Sequence, residues 1–267
     1  RTESVVAMTD QAGNGVNVSI NLTSAAIVAA TQGAGFTSPV AYIMAYPNNW
    51  YRIELTGTTN AAVNLDLEVF LAKNGSQSYL GDGTSGLYVW GAQLELGDAA
   101  SSYIPTTTAT VTRAADVWTV ASTAFNLNQS AGTLYASATT KTTGIFQGLA
   151  CVSDGTPAER AQVYLTSLAA NWLVADGGVL QNSVTTLLTA TLRVPFKTAL
   201  AYAANDLAAV ANGGTVATDA SATLPTPTTL LFGSAPSAGA DPLYGWMHGG
   251  GFLGNRVSDT NIQALTT

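Results

Sequence analysis

Two carboxylates on one predicted strand are the first residues that could do chemistry. Asp66 and Glu68 are two residues apart in a run that alternates apolar and polar side chains. On a strand such residues share a face, and a pair of carboxylates flanking a sugar is what glycoside hydrolysis requires. The sequence indicates no second element that would form the other wall of a cleft. The regular alternation therefore favours a solvated strand face over a catalytic pair.

The single histidine, His248, is the next candidate. One histidine cannot build a multi-histidine metal site, and no GxSxG motif accompanies it, although a lone Ser-His-Asp triad stays formally open. Because glycines occupy positions 249–251, we interpret His248 as a loop or strand-end residue. The sequence thus predicts a binding or structural protein and not an enzyme.

Aspartates in turns are the candidates for a metal ion. Asp82 lies between two glycines, but a calcium ion takes about six to eight oxygens. An aspartate turn is therefore the favoured interpretation, with a structural calcium ion at Asp82 as the weak alternative. Asp98 and Asp116 have no better support as ligands. Cys151 is the only cysteine, so it forms neither an intrachain disulfide nor a cysteine metal cluster. We predict no other cofactor.

Aromatic residues beside turns point to sugar binding. A Trp or Tyr ring packs against the apolar face of a sugar, while neighbouring amides bond its hydroxyls. Tyr46 adjoins Asn48 and Asn49 in a turn signal, and Tyr79 precedes a Gly-Asp turn. Side chains at such positions are free of the core face of a sheet. We therefore predict that these four residues bind a glycan.

Other aromatic residues fall inside predicted strands. Side chains on strands of a sandwich usually belong to the core, which makes Trp50, Tyr88 and Trp90 weaker binding candidates. Trp172 and Trp246 are likewise predicted to be buried between two sheets.

The elements that carry these residues are short alternating runs separated by Gly, Asn and Asp. This pattern is typical of antiparallel strands joined by hairpins. The one helix signal is Ser258, which can cap a helix of one or two turns over 259–265. Strands are predicted over 16–22, 50–56, 63–71, 87–95, 117–122, 133–139, 145–152, 162–168, 171–175, 199–204 and 207–211.

Composition excludes several classes of partner. Only 9% of residues are charged, against about 25% in typical proteins, and the net charge is −7. The basic residues do not cluster and an acidic chain repels phosphate backbones, so we predict no nucleic-acid partner. No apolar run approaches the roughly 18 residues of a membrane span, so we predict no membrane insertion. The 267 residues allow two domains, with a Thr-rich extended connector between them over 98–116.

Three motifs carry a resemblance to a known group of proteins. They are LYVWGAQLE at 87–95, SYIPTT at 102–107 and VTRAAD at 111–116. With these motifs the chain resembles head spikes, head fibres and some tail fibres of tailed bacteriophages and gene transfer agents. In those proteins a carbohydrate-binding-like jelly roll is joined by this connector to a concanavalin A or laminin G-like jelly roll.

The resemblance implies an all-β fold of two antiparallel β-sandwich (jelly-roll) domains in tandem, with at most a short C-terminal helix. Its domains are a carbohydrate-binding-module-like jelly roll at 1–97, the connector at 98–116 and a concanavalin A/laminin G-like jelly roll at 117–267. Such first domains usually have further strands before the position matched by Arg1. We therefore expect a longer native protein, or another chain that supplies the missing sheet edge.

The function implied is that of a structural spike or fibre on the virion surface that attaches to host cell-surface glycans. Its partners would be the host glycan, other virion proteins and two further copies in a homotrimer. Two alternatives stay open. One is the non-catalytic carbohydrate-binding part of a secreted polysaccharide-degrading enzyme, and the other is a capsid decoration protein without a ligand.

Overall fold

The computed structural model describes residues 3–60, 64–74, 76–112, 114, 116–125, 127–143, 145–182 and 185–267. These residues form antiparallel sheets and one short C-terminal α-helix, so the predicted all-β class is confirmed. The chain divides into two compact units, Arg1–Thr112 and Arg113–Thr267. The connector over 98–116 and the two jelly-roll types stay predictions. No helix in the described part is long and apolar enough to cross a membrane.

The first unit contains a four-stranded sheet and a separate hairpin. The sheet order is β3-β2-β1-β6, and β4 pairs with β5 alone among the described residues. Alternation in the sequence explains the strands, because Val16, Val18 and Ile20 share one face of β2 and are all buried. Val63 lies outside the described residues, and residues 65–71 of its predicted strand lie in β6. The strands are β1 (Glu3–Asp10), β2 (Gly15–Asn21), β3 (Ala26–Gln32), β4 (Phe36–Tyr46), β5 (Trp50–Thr59) and β6 (Leu65–Ala72).

One face of the hairpin packs against β2. Gly57 lies so close to this strand that an added Cβ would be 2.5 Å from Cγ1 of Val16. Residues of β5 that share the phase of Gly57 are Ile53 and Leu55, so they point the same way. The opposite phase of β5 includes Trp50, Arg52 and Glu54, of which Trp50 is exposed and Glu54 is buried.

The predicted strand over 87–95 is wrong. No strand is present between residues 79 and 112, all of which are described. An extended segment becomes a strand only where a neighbouring backbone pairs with it. Here the polar side chains of the segment, Gln93 and Glu95, bond to residues 101–104 instead. Apolar and polar residues do alternate in this segment, but its backbone does not form β-ladder hydrogen bonds with another strand.

The second unit consists of two larger sheets. One has the order β12-β11-β10-β9-β17-β7, with β13 also paired to β11, and the other has the order β16-β15-β14-β8-β18. Every strand predicted for this half overlaps an observed one. The elements are β7 (Trp118–Ala121), β8 (Ala131–Thr140), β9 (Phe146–Ser153), β10 (Arg160–Thr166), β11 (Ala169–Asp176), β12 (Val179–Leu180), β13 (Thr186–Thr189), β14 (Phe196–Ala203), β15 (Asp206–Ala211), β16 (Ala217–Asp219), β17 (Thr229–Phe232), β18 (Gly245–Leu253) and α1 (Asp259–Thr266).

The core of this unit contains side chains from both sheets. Trp172 on β11 is 1% exposed and belongs to the same buried cluster as Leu134 and Leu200, which confirms its predicted burial. Trp246 is 37% exposed, so its predicted burial is wrong. It lies on the edge strand β18, and Nζ of Lys141 is 4.6 Å from its ring centroid.

The C-terminal helix α1 packs against β14 and β15 of the sheet β16-β15-β14-β8-β18. The backbone amide of Asn261 donates to Oγ of Ser258, 3.3 Å away, so the predicted cap and helix are confirmed. Ile262 is fully buried against Ala199, Ala201 and Val210.

Cys151 gives a prediction for alkaline pH. It is fully buried against Leu231 and Ala235, and this burial raises the pKa of its thiol from 9.0 to about 12, opposed only in part by the Arg160 charge. A raised pKa in the folded state stabilises the protein below pH 9.0, and this contribution is lost as the pH rises toward 12. We expect the free energy of unfolding to fall across this window, and to fall less steeply in Cys151→Ala.

The same burial keeps the thiol protonated and out of reach of reagents near neutral pH. A disulfide reagent should leave the native protein unmodified at about pH 8 and should label one thiol per chain in concentrated urea. Rapid labelling of the native protein would contradict the burial of Cys151.

Candidate functional site

The tip of the β4–β5 hairpin brings together three of the four predicted glycan-binding residues. Strand β4 ends at Tyr46, a short 3-10 turn spans Pro47–Asn49, and β5 begins at Trp50. Asn48 and Asn49 have φ angles of 62° and 59°. Asparagine tolerates this left-handed region better than most residues, which explains why two asparagines follow the proline. Both are exposed.

Trp50 joins this group, although its position in a strand makes it a weaker candidate from the sequence. Tyr46 and Trp50 are directly paired across the hairpin, so their side chains are on one face with Cβ atoms about 4.5–5.5 Å apart. They are 51% and 46% exposed. The signal that could have identified Trp50 is its position as the first residue after the turn. We call Tyr46, Asn48, Asn49 and Trp50 the tip site.

An ion pair anchors the same face behind the tip site. Nε of Arg52 is 3.0 Å from Oε1 of Glu54, whose side chain is buried. Nη2 of Arg52 also donates to the carbonyl oxygen of Ser101, 2.5 Å away. Because residues two apart on a strand share a face, this anchor lies on the side that carries Trp50.

Gln93 and Glu95 hold the segment that Arg52 contacts. Oε1 of Gln93 accepts from the backbone amide of Ile104 at 2.7 Å, and Oε1 of Glu95 accepts from the amide of Ser101 at 2.7 Å. Oγ of Ser101 donates to Oε2 of Glu95 at 2.7 Å. We call Gln93, Glu95, Ser101 and Ile104 the connector clamp. It gives the motif residues of 87–95 a structural role.

The connector clamp predicts a local change in stability. A hydrogen bond to a charged group contributes about 1.5–3 kcal/mol, and exposure to solvent places this one at the low end. In Glu95→Ala we expect the amide of Ser101 to exchange its hydrogen about tenfold faster, because the carboxylate that accepts from it is gone. Thr108→Ala, at an exposed position outside the clamp, is the control. Unchanged exchange in Glu95→Ala would contradict the clamp.

A second aromatic pair lies beside the clamp. The rings of Trp90 and Tyr103 have centroids 4.8 Å apart at 46°. Trp90 is 73% exposed and Tyr88 is 92% exposed, so the assignment of these residues to the core is wrong. The physical reason is that residues 87–95 do not form a strand of a sandwich. The rings of Trp90 and Tyr103 contact each other, whereas the rings of the tip site adjoin two exposed asparagine amides.

The remaining predicted site residues have other positions. Tyr79 is half-buried on a different loop, after β6. Asp82 accepts from the backbone amides of Thr84 and Ser85 at 3.0 and 2.8 Å, which is the geometry of an aspartate turn. Asp98 and Asp116 are exposed. Within the described residues, no group of three or more His, Cys, Asp or Glu side chains is placed to hold a metal ion.

The candidate catalytic carboxylates lie on the edge strand β6. Asp66 is exposed, as predicted for a solvated face, but Glu68 is half-buried. Oε2 of Glu68 accepts from Oγ1 of Thr9 at 2.9 Å, across the pair of strands β1 and β6. The two carboxylates therefore differ in environment, and Glu68 has a structural hydrogen bond.

His248 lies within β18, so its interpretation as a loop or strand-end residue is wrong. The register shifts between Met247 and Gly249, which places His248 at a β-bulge, and its Nε2 is 2.6 Å from Oγ1 of Thr139. The glycines that follow His248 leave space for neighbouring aromatic side chains. A Cβ on Gly250 would be 2.4 Å from a ring carbon of Phe232, and a Cβ on Gly251 would be 2.4 Å from the Tyr135 hydroxyl.

Comparisons with known proteins give similar solved structures only. No family model matches the chain and no curated protein matches it. The CBM40 of the Ruminococcus gnavus IT-sialidase bound to α2,6-sialyllactose is 18% identical, with 52% of this chain and 85% of that chain covered and a TM-score of 0.45. The K499G mutant of NanB sialidase from Streptococcus pneumoniae is 12% identical over 55% of this chain and 26% of that chain, with a TM-score of 0.46. Because these identities and TM-scores are low, the function of this chain has to be inferred from its own residues.

Proposed function

We propose that the chain is a non-catalytic carbohydrate-binding protein and that it binds glycans at the tip site. The observation that carries this proposal is the exposed cross-strand pair of Tyr46 and Trp50 beside two exposed asparagine amides. Two rings on one face offer a flat apolar surface, and amides offer donors and acceptors to hydroxyls. This combination matches the two chemical sides of a sugar.

The position of the site supports binding with little reorganisation. The hairpin extends through two strands of about ten residues, and the tip follows directly from its last pair. Arg52 and Glu54 fix the next position of β5 on the same face by an ion pair and a hydrogen bond to Ser101. A site whose side chains are already in place loses less conformational entropy when it binds a ligand.

The tip site also lacks the groups that turnover would need. It contains no carboxylate, histidine or cysteine, so no acid and base pair can flank a glycosidic bond there. Asp66 and Glu68 lie on β6 of the other sheet. We infer that the sugar leaves unchanged.

The setting in which this binding takes place stays a prediction. A virion surface, host cell-surface glycans, other virion proteins and a homotrimer are implied by the resemblance of residues 87–116. The non-catalytic binding part of a secreted polysaccharide-degrading enzyme requires nothing beyond the binding site itself, and we prefer this alternative. A decoration protein without a ligand would have no use for the exposed rings.

A glycan array probed with the intact chain tests the proposal. We expect binding to at least one class of glycan, loss of this binding in the Tyr46→Ala/Trp50→Ala variant, and no release of reducing sugar. Thr58→Ala, an exposed change on the same hairpin away from the tip, is the matched control. Binding that survives the double variant would remove the tip site, and release of reducing sugar would reject the non-catalytic assignment.

A further inference from the structure

The charges of the hairpin restrict which sugars the tip site can accept. Between Phe36 and Thr59 the sequence contains one basic residue, Arg52, and one acidic residue, Glu54. Any ion pair between this hairpin and an acidic sugar would therefore need Arg52.

Arg52 is already engaged by the protein. Its Nε faces Oε1 of Glu54 at 3.0 Å and its Nη2 donates to the Ser101 carbonyl at 2.5 Å. Turning the guanidinium toward a ligand would break its ion pair with the buried Glu54 carboxylate and its hydrogen bond to Ser101. Breaking a pair that includes a buried charge is costly, so a ligand carboxylate would compete poorly for this group.

The groups that remain at the tip are neutral. They are the ring faces of Tyr46 and Trp50, the Tyr46 hydroxyl and the amides of Asn48 and Asn49. A carboxylate bound strongly in proteins is met by Arg or Lys through charge-assisted hydrogen bonds, and amides give weaker ones. The net charge of −7 adds a weak repulsion for any anion that approaches the chain.

We propose that the tip site is specific for neutral pyranosides, such as glucose or galactose residues of a glycan, and discriminates against sialic acids and uronic acids. This inference rests on the proposed function and names its ligand class. A neutral pyranose places an apolar face on the two rings and its hydroxyls within reach of the amides, without any unpaired charge.

An array of paired glycans tests the specificity. Each pair consists of a neutral glycan and the same glycan carrying a sialic acid, together with glucose and glucuronate oligomers. We expect the intact chain to bind the neutral members, and to bind their sialylated partners and the glucuronate oligomers more weakly. For the best neutral glycan, the dissociation constant should change less than about twofold between about 0.1 M and about 1 M salt, over which the screening length falls from about 10 Å to about 3 Å.

The variants separate failure of this inference from failure of the proposed function. Binding confined to acidic members, strongly weakened by salt and lost in Trp50→Ala, would overturn the neutral specificity and leave the tip site in place. Binding of any glycan that is unchanged in Trp50→Ala and Tyr46→Ala would overturn both. Thr58→Ala should bind each glycan with the same affinity as the unmodified chain.

Discussion

Trp172→Ala is expected to lower the free energy of unfolding of the second unit by about 3–5 kcal/mol. The Trp172 side chain is 1% exposed and belongs to the main buried cluster of that unit. Its removal leaves a cavity that the two sheets can close only in part, and the loss of buried apolar area adds to this cost. The indole Nε1 also donates to Oγ1 of Thr185 at 3.0 Å.

Urea denaturation followed by far-ultraviolet circular dichroism measures this effect. Thr185→Ala removes only the acceptor of the indole and should cost about 1 kcal/mol. Leu180→Ala, at a position that is 53% exposed on the neighbouring strand β12, should change stability by less than about 0.5 kcal/mol. A Trp172→Ala variant as stable as Leu180→Ala would show that the core is packed differently.

Trp50→Ala is expected to weaken binding of a neutral glycan at least tenfold, which corresponds to about 1.4 kcal/mol. Trp50 has the larger ring of the pair, so Tyr46→Ala should have a smaller effect and the double variant should abolish detectable binding. Because Trp50 is 46% exposed, its loss should leave the fold intact. Tyr79→Ala decides whether the site extends to the loop after β6.

Isothermal titration with a soluble monovalent glycan gives this affinity without the gain that several linked copies would add on an array. Circular dichroism of each variant checks the fold, and Thr58→Ala is the control. Equal dissociation constants for Trp50→Ala and Thr58→Ala would exclude Trp50 from the site.

Strands with one buried and one exposed face could be predicted from the sequence. The period of two in Val16, Val18 and Ile20 matches their buried face, because one side of β2 lies in a core and the other does not. The helix was predictable from one residue, Ser258, since a side-chain acceptor at the cap position satisfies a free backbone amide. Local chemistry is sufficient in both cases.

Features that depend on a neighbouring segment could not be predicted in this way. Residues 87–95 alternate like a strand, but whether they pair depends on a partner that the sequence does not indicate. The glycines after His248 resemble a loop, yet Phe232 and Tyr135 occupy the space that side chains would need. Trp246 is exposed because the adjacent Met247 packs against the core, which puts Trp246 on the opposite face of the edge strand β18.

The candidate site shows the same division. Turn chemistry at Pro47–Asn49 identified Tyr46, Asn48 and Asn49 from the sequence. Trp50 is not identified in this way, because its strand position predicts burial, whereas the cross-strand pairing puts it beside Tyr46 with both rings exposed. The engagement of Arg52 by Glu54 and Ser101, which determines the expected sugar specificity, becomes visible only in three dimensions.

The indole signals of the five tryptophans test the central claim most directly. A nitrogen–proton correlation spectrum is recorded during titration with a neutral glycan that the array identifies, and Trp50→Phe assigns the Trp50 signal. Binding at the tip site predicts that the Trp50 signal shifts progressively with glycan concentration, while the signal of the buried Trp172 stays in place. A Trp50 signal that does not move at saturating glycan would contradict the account.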